Sequence, residues 1–133
     1  MVQKDDVLII EDSAVTGDLL KHYLEQLDYS QIHICTTGKS GVKIFKELVH
    51  KKKQPIVLLD YTLPDIDAQS VFSQILEITP NVRVILETAT EKDDEGIKDL
   101  IRLGAFGYLE KPIRFDNLKQ IIEILEKEQD FFQ

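Results

Sequence analysis

The sequence is short of cysteine, of positive charge and of long apolar runs, and each shortage removes a class of function. Its single cysteine, Cys35, excludes an internal disulfide and fits a reducing compartment. The longest uninterrupted apolar run is about five residues, far below the roughly 18 needed to span a bilayer. Met1 is followed by Lys4-Asp5-Asp6 where a leader would need apolar residues. A cytoplasmic chain without membrane insertion is therefore expected. Lysine and arginine number 16 against 24 aspartates and glutamates, and the resulting net charge of -8 repels phosphate backbones and anionic lipid. Direct nucleic-acid binding is not expected.

What is present is ordinary globular material: 133 residues, 43% hydrophobic and 30% charged, enough for one compact domain over residues 1–133. Residues 7–10 form a continuous apolar run that stops at Glu11-Asp12, the pattern of a strand buried on both faces and opening into a polar loop. Ser13 can cap the helix that follows, whose stripe is read as Val15, Leu19, Tyr23 and Leu27, widened by Leu20 and Leu24. Residues 32–36 read as a short strand. Gly38 punctuates the chain before a second helix carrying Val42, Phe45 and Val49 with Ile44 and Leu48. After Lys51-Lys52-Lys53 and Pro55, residues 56–59 repeat the logic of the first strand and end at Asp60.

A third helix carries Val71, Phe72, Ile75 and Leu76, and residues 82–86 form a strand ending near Thr88. A fourth helix with Ile97, Leu100, Ile101 and Leu103 closes at Gly104; residues 106–109 precede Lys111-Pro112. The last helix uses Leu118, Ile121, Ile122 and Leu125, has Arg114 where a capping residue is preferred, and leaves Phe131 and Phe132 beyond its end. Alternating strands and helices predict an α/β fold, a five-stranded parallel sheet with helices on both faces. A flavodoxin-like order 2-1-3-4-5 sets strands one and three side by side at the switch point, where Asp12 and Asp60 meet.

Glu11, Asp12, Asp60, Thr88 and Lys111 then converge on one rim. Carboxylates packed together raise each other's pKa unless a cation neutralises them, and hard oxygen ligands suit Mg²⁺, which also accepts phosphate oxygens. The pocket reads as metal plus phosphoryl.

Four strings, each at a predicted strand end, carry a resemblance: Ile10-Glu11-Asp12-Ser13, Leu59-Asp60-Tyr61-Thr62-Leu63-Pro64, Thr88-Ala89 and Tyr108-Leu109-Glu110-Lys111-Pro112. Through them the chain resembles the receiver domains of two-component response regulators over nearly its whole length. The resemblance implies that Asp60 takes a phosphoryl group from a phosphohistidine and becomes an aspartyl phosphate. It makes Asp12 the direct Mg²⁺ ligand, Glu11 a ligand through water, and the Thr62 carbonyl part of the set. Lys111 would pair with a phosphoryl oxygen, or with Asp60 beforehand. Thr88 and Tyr108 would be the switch, the fourth helix, fifth strand and fifth helix the readout surface, and Pro112 a cis-proline. The implied partners are a sensor histidine kinase or histidine phosphotransfer protein and a downstream protein target. A stand-alone, chemotaxis-like receiver is expected.

Departures from the family pattern carry their own expectations. Ala68 stands where glycine is frequent, which matters if a positive φ is required there. Leu63 replaces a frequent methionine at little consequence. Glu87 precedes Thr88 where an apolar or hydroxyl residue is usual, and if alternation aims Thr88 at the site, Glu87 faces away. Thr62 and Thr90 occupy positions that tune hydrolysis in the family; neither orients water well, so a long-lived phosphoryl state is expected. His22, His33 and His50 share no spacing and read as surface or strand-face residues, Cys35 as a small buried hydrophobe and Lys51 to Lys53 as a solvated loop.

Rival readings have features of their own. A flavodoxin-like cofactor carrier needs a phosphate-cradling loop after strand one, where Glu11-Asp12 would repel the phosphate. An aspartate-nucleophile phosphatase needs a second acid where Thr62 stands. An interaction module of receiver shape that is never phosphorylated would not need the full set of acids, Thr88 and Lys111.

Overall fold

The structure, a computed structural model, describes residues 4–89 and 94–132, the last four of these by their backbone alone. Five strands alternate with five helices: β1 Val7–Ile10, α1 Ala14–Gln26, β2 Ile32–Cys35, α2 Gly38–His50, β3 Ile56–Asp60, α3 Ala68–Ile78, β4 Arg83–Thr88, α4 Glu95–Arg102, β5 Gly107–Glu110 and α5 Phe115–Phe132. The strands are parallel, in the order β2-β1-β3-β4-β5. The expected α/β fold, strand order and two covered faces are all present.

Two apolar layers hold the sheet. Val7, Ile9, Ile56, Leu58 and Ile85 meet Leu20 and Leu24 of α1 and Leu118, Ile122 and Leu125 of α5. On the opposite face Leu8, Ile10, Val57, Leu59, Val84 and Leu86 meet Phe45, Phe72, Ile75, Ile97 and Leu100 of the other three helices. Unbroken apolar strands are needed because both faces lie under helices.

Local chemistry sets the helix starts. Ser13 Oγ accepts from Thr16 N at 3.2 Å, Thr37 and Ser40 form a reciprocal capping box, and Asp67 and Asp94 cap α3 and α4. Asp65, in the loop after β3, accepts from the Gly38 and Lys39 amides at 2.8 and 2.9 Å, tying that loop to the start of α2. These backbone donors hold the Asp65 carboxyl below its usual range.

Several expectations need correction. The buried stripe of α1 is Gly17, Leu20 and Leu24, while Val15 is 81% exposed and Leu19 lies at the margin. At 3.6 residues per turn a strict spacing of four drifts off the core face, and spacings of three and four together stay on it. In α4 only Ile97 and Leu100 are buried, and Leu103 caps the helix in solvent. Gly38 is the first residue of α2 and does not interrupt the chain before it. Phe131 belongs within α5, which runs to Phe132, so neither aromatic trails the helix. Ala68 needs no special backbone: it is the buried first residue of α3, and the non-glycine positive φ angles among the described residues are at Asp28 and Lys52.

Gly41 admits α2 to the sheet. A Cβ there would lie 2.5, 2.7 and 3.0 Å from side-chain atoms of Ile10, which is fully buried. Overpacking of this kind costs about 1–3 kcal/mol against the roughly 1 kcal/mol that alanine returns in helix propensity. Gly41→Ala is therefore expected to lower the melting midpoint; an unchanged midpoint would show that α2 can back away without loss.

Candidate functional site

The site is a consequence of parallel register. Ile10 lies opposite Leu59 and Asp60 opposite Glu87, so Glu11, one residue past β1, falls in a row with Asp60 and Glu87 across three adjacent strands. All three side chains point to the α1/α5 face, two residues beyond the buried Ile9, Leu58 and Ile85. Glu11 and Glu87 are fully buried and Asp60 is 3% exposed.

Asp12 stands at the exposed rim. It, Glu11 and Asp60 each offer a carboxylate oxygen, and these oxygens lie within 4.8 Å of one another. From the loop after β5, Lys111 places Nζ 2.8 Å from Glu11 Oε1 and 3.3 Å from Asp60 Oδ2. The first contact is an ion pair outside hydrogen-bond alignment. Among the described residues Glu11 Oε1 and both Glu87 oxygens lack a hydrogen-bond partner. Glu11 Oε2 accepts from Ser13 N at 3.0 Å and Asp60 Oδ1 from Thr62 N at 3.1 Å. The carbonyls of Glu87 and Thr88 accept from Tyr61 N and Lys111 N, each at 2.8 Å, pinning both site loops to the end of β4. The Lys111-Pro112 peptide is cis, as expected.

One lysine among clustered acids leaves a surplus of buried negative charge. Burial and the adjacent Glu11 carboxylate push Asp60 up to about 7. For Glu11 burial acts upward too, but the close Asp60 carboxyl, the Lys111 ammonium and the Ser13 amide outweigh it and hold it at about 2. Burial and the Glu11 charge raise Glu87 well above the carboxylate range. Lys111 is raised because contacts with Glu11 and Asp60 outweigh its own desolvation. Hard oxygen donors in one cluster, orphaned buried lone pairs and surplus charge all suit a divalent cation such as Mg²⁺.

These shifts set a pH dependence. Asp60, ordinarily 3.8 and here about 7, binds more protons folded than unfolded between those values, so its contribution is present below 3.8 and lost as pH rises through 7. Glu11, lowered from 4.5 to about 2, works oppositely: its contribution is lost as pH falls through that interval. Metal-free protein is expected to lose melting temperature from mildly acidic to mildly alkaline pH, and Asp60→Asn to flatten that slope. Parallel pH profiles for the two proteins would refute the assignment.

Not every expected residue joins the cluster. Thr88 is buried, but register pairs it with Glu110 and sets it on the face of Leu86 and Tyr108, opposite to the row. Tyr108 is half-buried against that second layer. Thr62 is exposed, and Thr90 lies outside the described residues. Glu87 does not face away from the site, because alternation along β4 gives Asp60's face to it and the other face to Thr88. Parity was the available signal: Glu87 follows buried Ile85 as Asp60 follows Leu58. His33 pairs with Asp6 at 2.9 Å, His22 and His50 are exposed, Cys35 is buried and Lys51 to Lys53 are exposed. A cavity of about 750 Å³, lined by residues including Phe45, Pro55 and Phe106, opens at the opposite end of the sheet.

Fold and site together define a doubly wound α/β protein with an acidic, cation-seeking pocket at its switch point. The chain belongs to the response regulator receiver domain family, which matches residues 7–123. Among curated relatives it is 33% identical over 123 residues to a probable C4-dicarboxylate response regulator DctR of Halalkalibacterium halodurans, covering 91% of this chain and 51% of that protein. It thus spans about half the length of that relative. It is 29% identical over 121 residues to the chemotaxis protein CheY of Thermotoga maritima, covering 91% and 94%. A chain in the CheX-CheY-BeF3-Mg+2 complex from Borrelia burgdorferi superposes with a TM-score of 0.84 at 28% identity, covering 92% of this chain and 90% of that one. Receiver domains are signalling proteins and not turnover enzymes. No helix among the described residues is long and apolar enough to cross a membrane.

Proposed function

We propose that this receiver is phosphorylated on Asp60 in a two-component, His-to-Asp phosphorelay. The observation that carries the reading is the convergence of Glu11, Asp12 and Asp60 oxygens within 4.8 Å, with Lys111 Nζ 3.3 Å from Asp60. Asp12, Asp60 and the Thr62 carbonyl would hold Mg²⁺ directly, and Glu11 through water. Bound there, the ion offsets the charge of the acids and of the transferring phosphoryl oxygens.

An Asp60 carboxylate oxygen attacks the phosphorus of a partner's phosphohistidine; the O–P bond forms as the N–P bond breaks, and the departing imidazole keeps the electron pair and takes a proton. Lys111 moves its contact from carboxylate to phosphoryl oxygen, a small shift for a compact ammonium. Thr88, last residue of β4, would turn its hydroxyl from the opposite face over the strand end to donate to the phosphoryl group, and Tyr108 would turn inward behind it, biasing the surface of α4, β5 and α5 toward a downstream protein. The donor is a sensor histidine kinase or histidine phosphotransfer protein. With threonine at 62, water is poorly oriented for hydrolysis, so the phosphoryl state is long-lived.

Incubation with acetyl phosphate and Mg²⁺, followed by intact mass, is expected to add one phosphoryl group to the wild type and none to Asp60→Ala. Absence of a Mg²⁺-dependent adduct on the wild type would leave a receiver-shaped interaction module as the better reading.

A further inference from the structure

Tyr61 directly follows Asp60, and its ring runs from the site loop to α4. Its backbone amide donates to the Glu87 carbonyl at 2.8 Å, so its base is held by β4. At the far end its hydroxyl accepts from Gln69 Nε2 of α3 at 3.0 Å. The same hydroxyl is seated on Gly96 in the first turn of α4: a Cβ there would stand 1.8 Å from Tyr61 Oη and 2.9 Å from Cζ. A side chain at that position would displace the end of the Tyr61 ring. Asp94 fixes the turn by accepting from the Gly96 and Ile97 amides at 2.8 and 3.3 Å. Glycine in a helix sacrifices roughly 1 kcal/mol relative to alanine, and the seated hydroxyl is the contact that an added Cβ would disturb.

We infer that Tyr61 is a positioning residue that couples the Asp60 loop to α4, with Gly96 as its seat, alongside Thr88 and Tyr108. The inference rests on the reading of Asp60 as phosphoacceptor. A planar ring packed at both ends cannot absorb a shift of its base: displacement of the Asp60 loop drives the hydroxyl against the Gly96 backbone or withdraws it. Close-packed contacts of this kind settle into alternative arrangements more readily than they deform. A ligand on Asp60 therefore biases α4 through a contact whose two ends it affects unequally.

The test is a double-mutant cycle on the full chain, reading Mg²⁺-dependent beryllofluoride affinity by calorimetry and α4 amide hydrogen exchange by mass spectrometry. Gly96→Ala adds helix propensity, and the group it displaces is the tip of the Tyr61 side chain, so it probes the contact without unfolding α4. It is expected to change beryllofluoride affinity about threefold or more in the wild type, and to have no effect in Tyr61→Ala, where the clash is gone. Beryllofluoride is also expected to alter α4 exchange in the wild type, and to alter it by less than half as much in Tyr61→Ala at saturation. An equal effect of Gly96→Ala with and without the Tyr61 ring, or an undiminished α4 response in Tyr61→Ala, would overturn the coupling. A wild type that binds no beryllofluoride would sink the phosphoacceptor reading itself, and this inference with it.

Discussion

Lys111→Met is expected to be the most destabilising single change at the site, costing metal-free protein about 3–5 kcal/mol at neutral pH, the range for removing one partner of a buried ion pair. Lys111 is 24% exposed, which favours the lower end, but its partners Glu11 and Asp60 are 0% and 4% exposed and cannot reach water unaided. Methionine keeps most of the aliphatic stem, so lost packing contributes little. Two further results separate this electrostatic cause from loss of shape. Mg²⁺ should restore much of the stability, because a cation that binds only the folded state adds about 2.7 kcal/mol at a hundredfold excess over its Kd. Mild acid should restore it as well, since protonating Asp60 removes the repulsion. A variant whose melting temperature recovers with neither treatment would show that Lys111 acts through packing, and the charge balance described for the pocket would be wrong.

Glu87→Met is expected to act in the opposite sense, stabilising metal-free protein by about 1–3 kcal/mol, the usual cost of a buried polar group without a partner. Both Glu87 oxygens are buried, and among the described residues the one group beside them able to share the proton of its raised carboxyl is the Glu11 carboxylate, itself already drawn to Lys111. Methionine has similar volume, no charge and the flexibility to fill the space. The gain should also grow with pH. Because the folded protein holds a proton on Glu87 that the unfolded chain releases near 4.5, the glutamate's contribution is lost as pH rises through its elevated folded value. Denaturant unfolding at two pH values in EDTA measures both effects. A destabilised variant, or a gain that shrinks toward alkaline pH, would mean that Glu87 is paired in solution.

The opposite signs expected at Lys111 and Glu87 describe a pocket whose resting charge is unbalanced by design of the strand ends. That imbalance is what a cation and a transferred phosphoryl group can exploit. Stability at such a site is given up in favour of ligand response, a common relation between activity and folding free energy.

Much of this is legible in the sequence. Apolar runs of four residues ending in Glu11-Asp12 and in Asp60 read as strands buried on both faces with polar ends, being too short for a buried helix and rich in Val and Ile. Alternation of those runs with amphipathic segments leaves parallel strand order as the economical solution, and that order alone brings Asp12 to Asp60. Capping by Ser13 was equally local and equally legible.

Relations between strands and between helices were decided elsewhere. Which face Glu87 takes depends on the β3–β4 register, a hydrogen-bonding match between segments remote in sequence, and a shift of one residue would exchange it with Thr88. The burial of Leu20 over Val15 reflects how α1 is rotated against the sheet, and the seating of Tyr61 on Gly96 reflects where α4 comes to rest. A linear sequence specifies periodicity, charge and chain breaks because each depends on near neighbours. Register, helix rotation and the meeting of a ring with a glycine 35 positions away depend on the whole packed assembly, so only the tertiary structure could decide them.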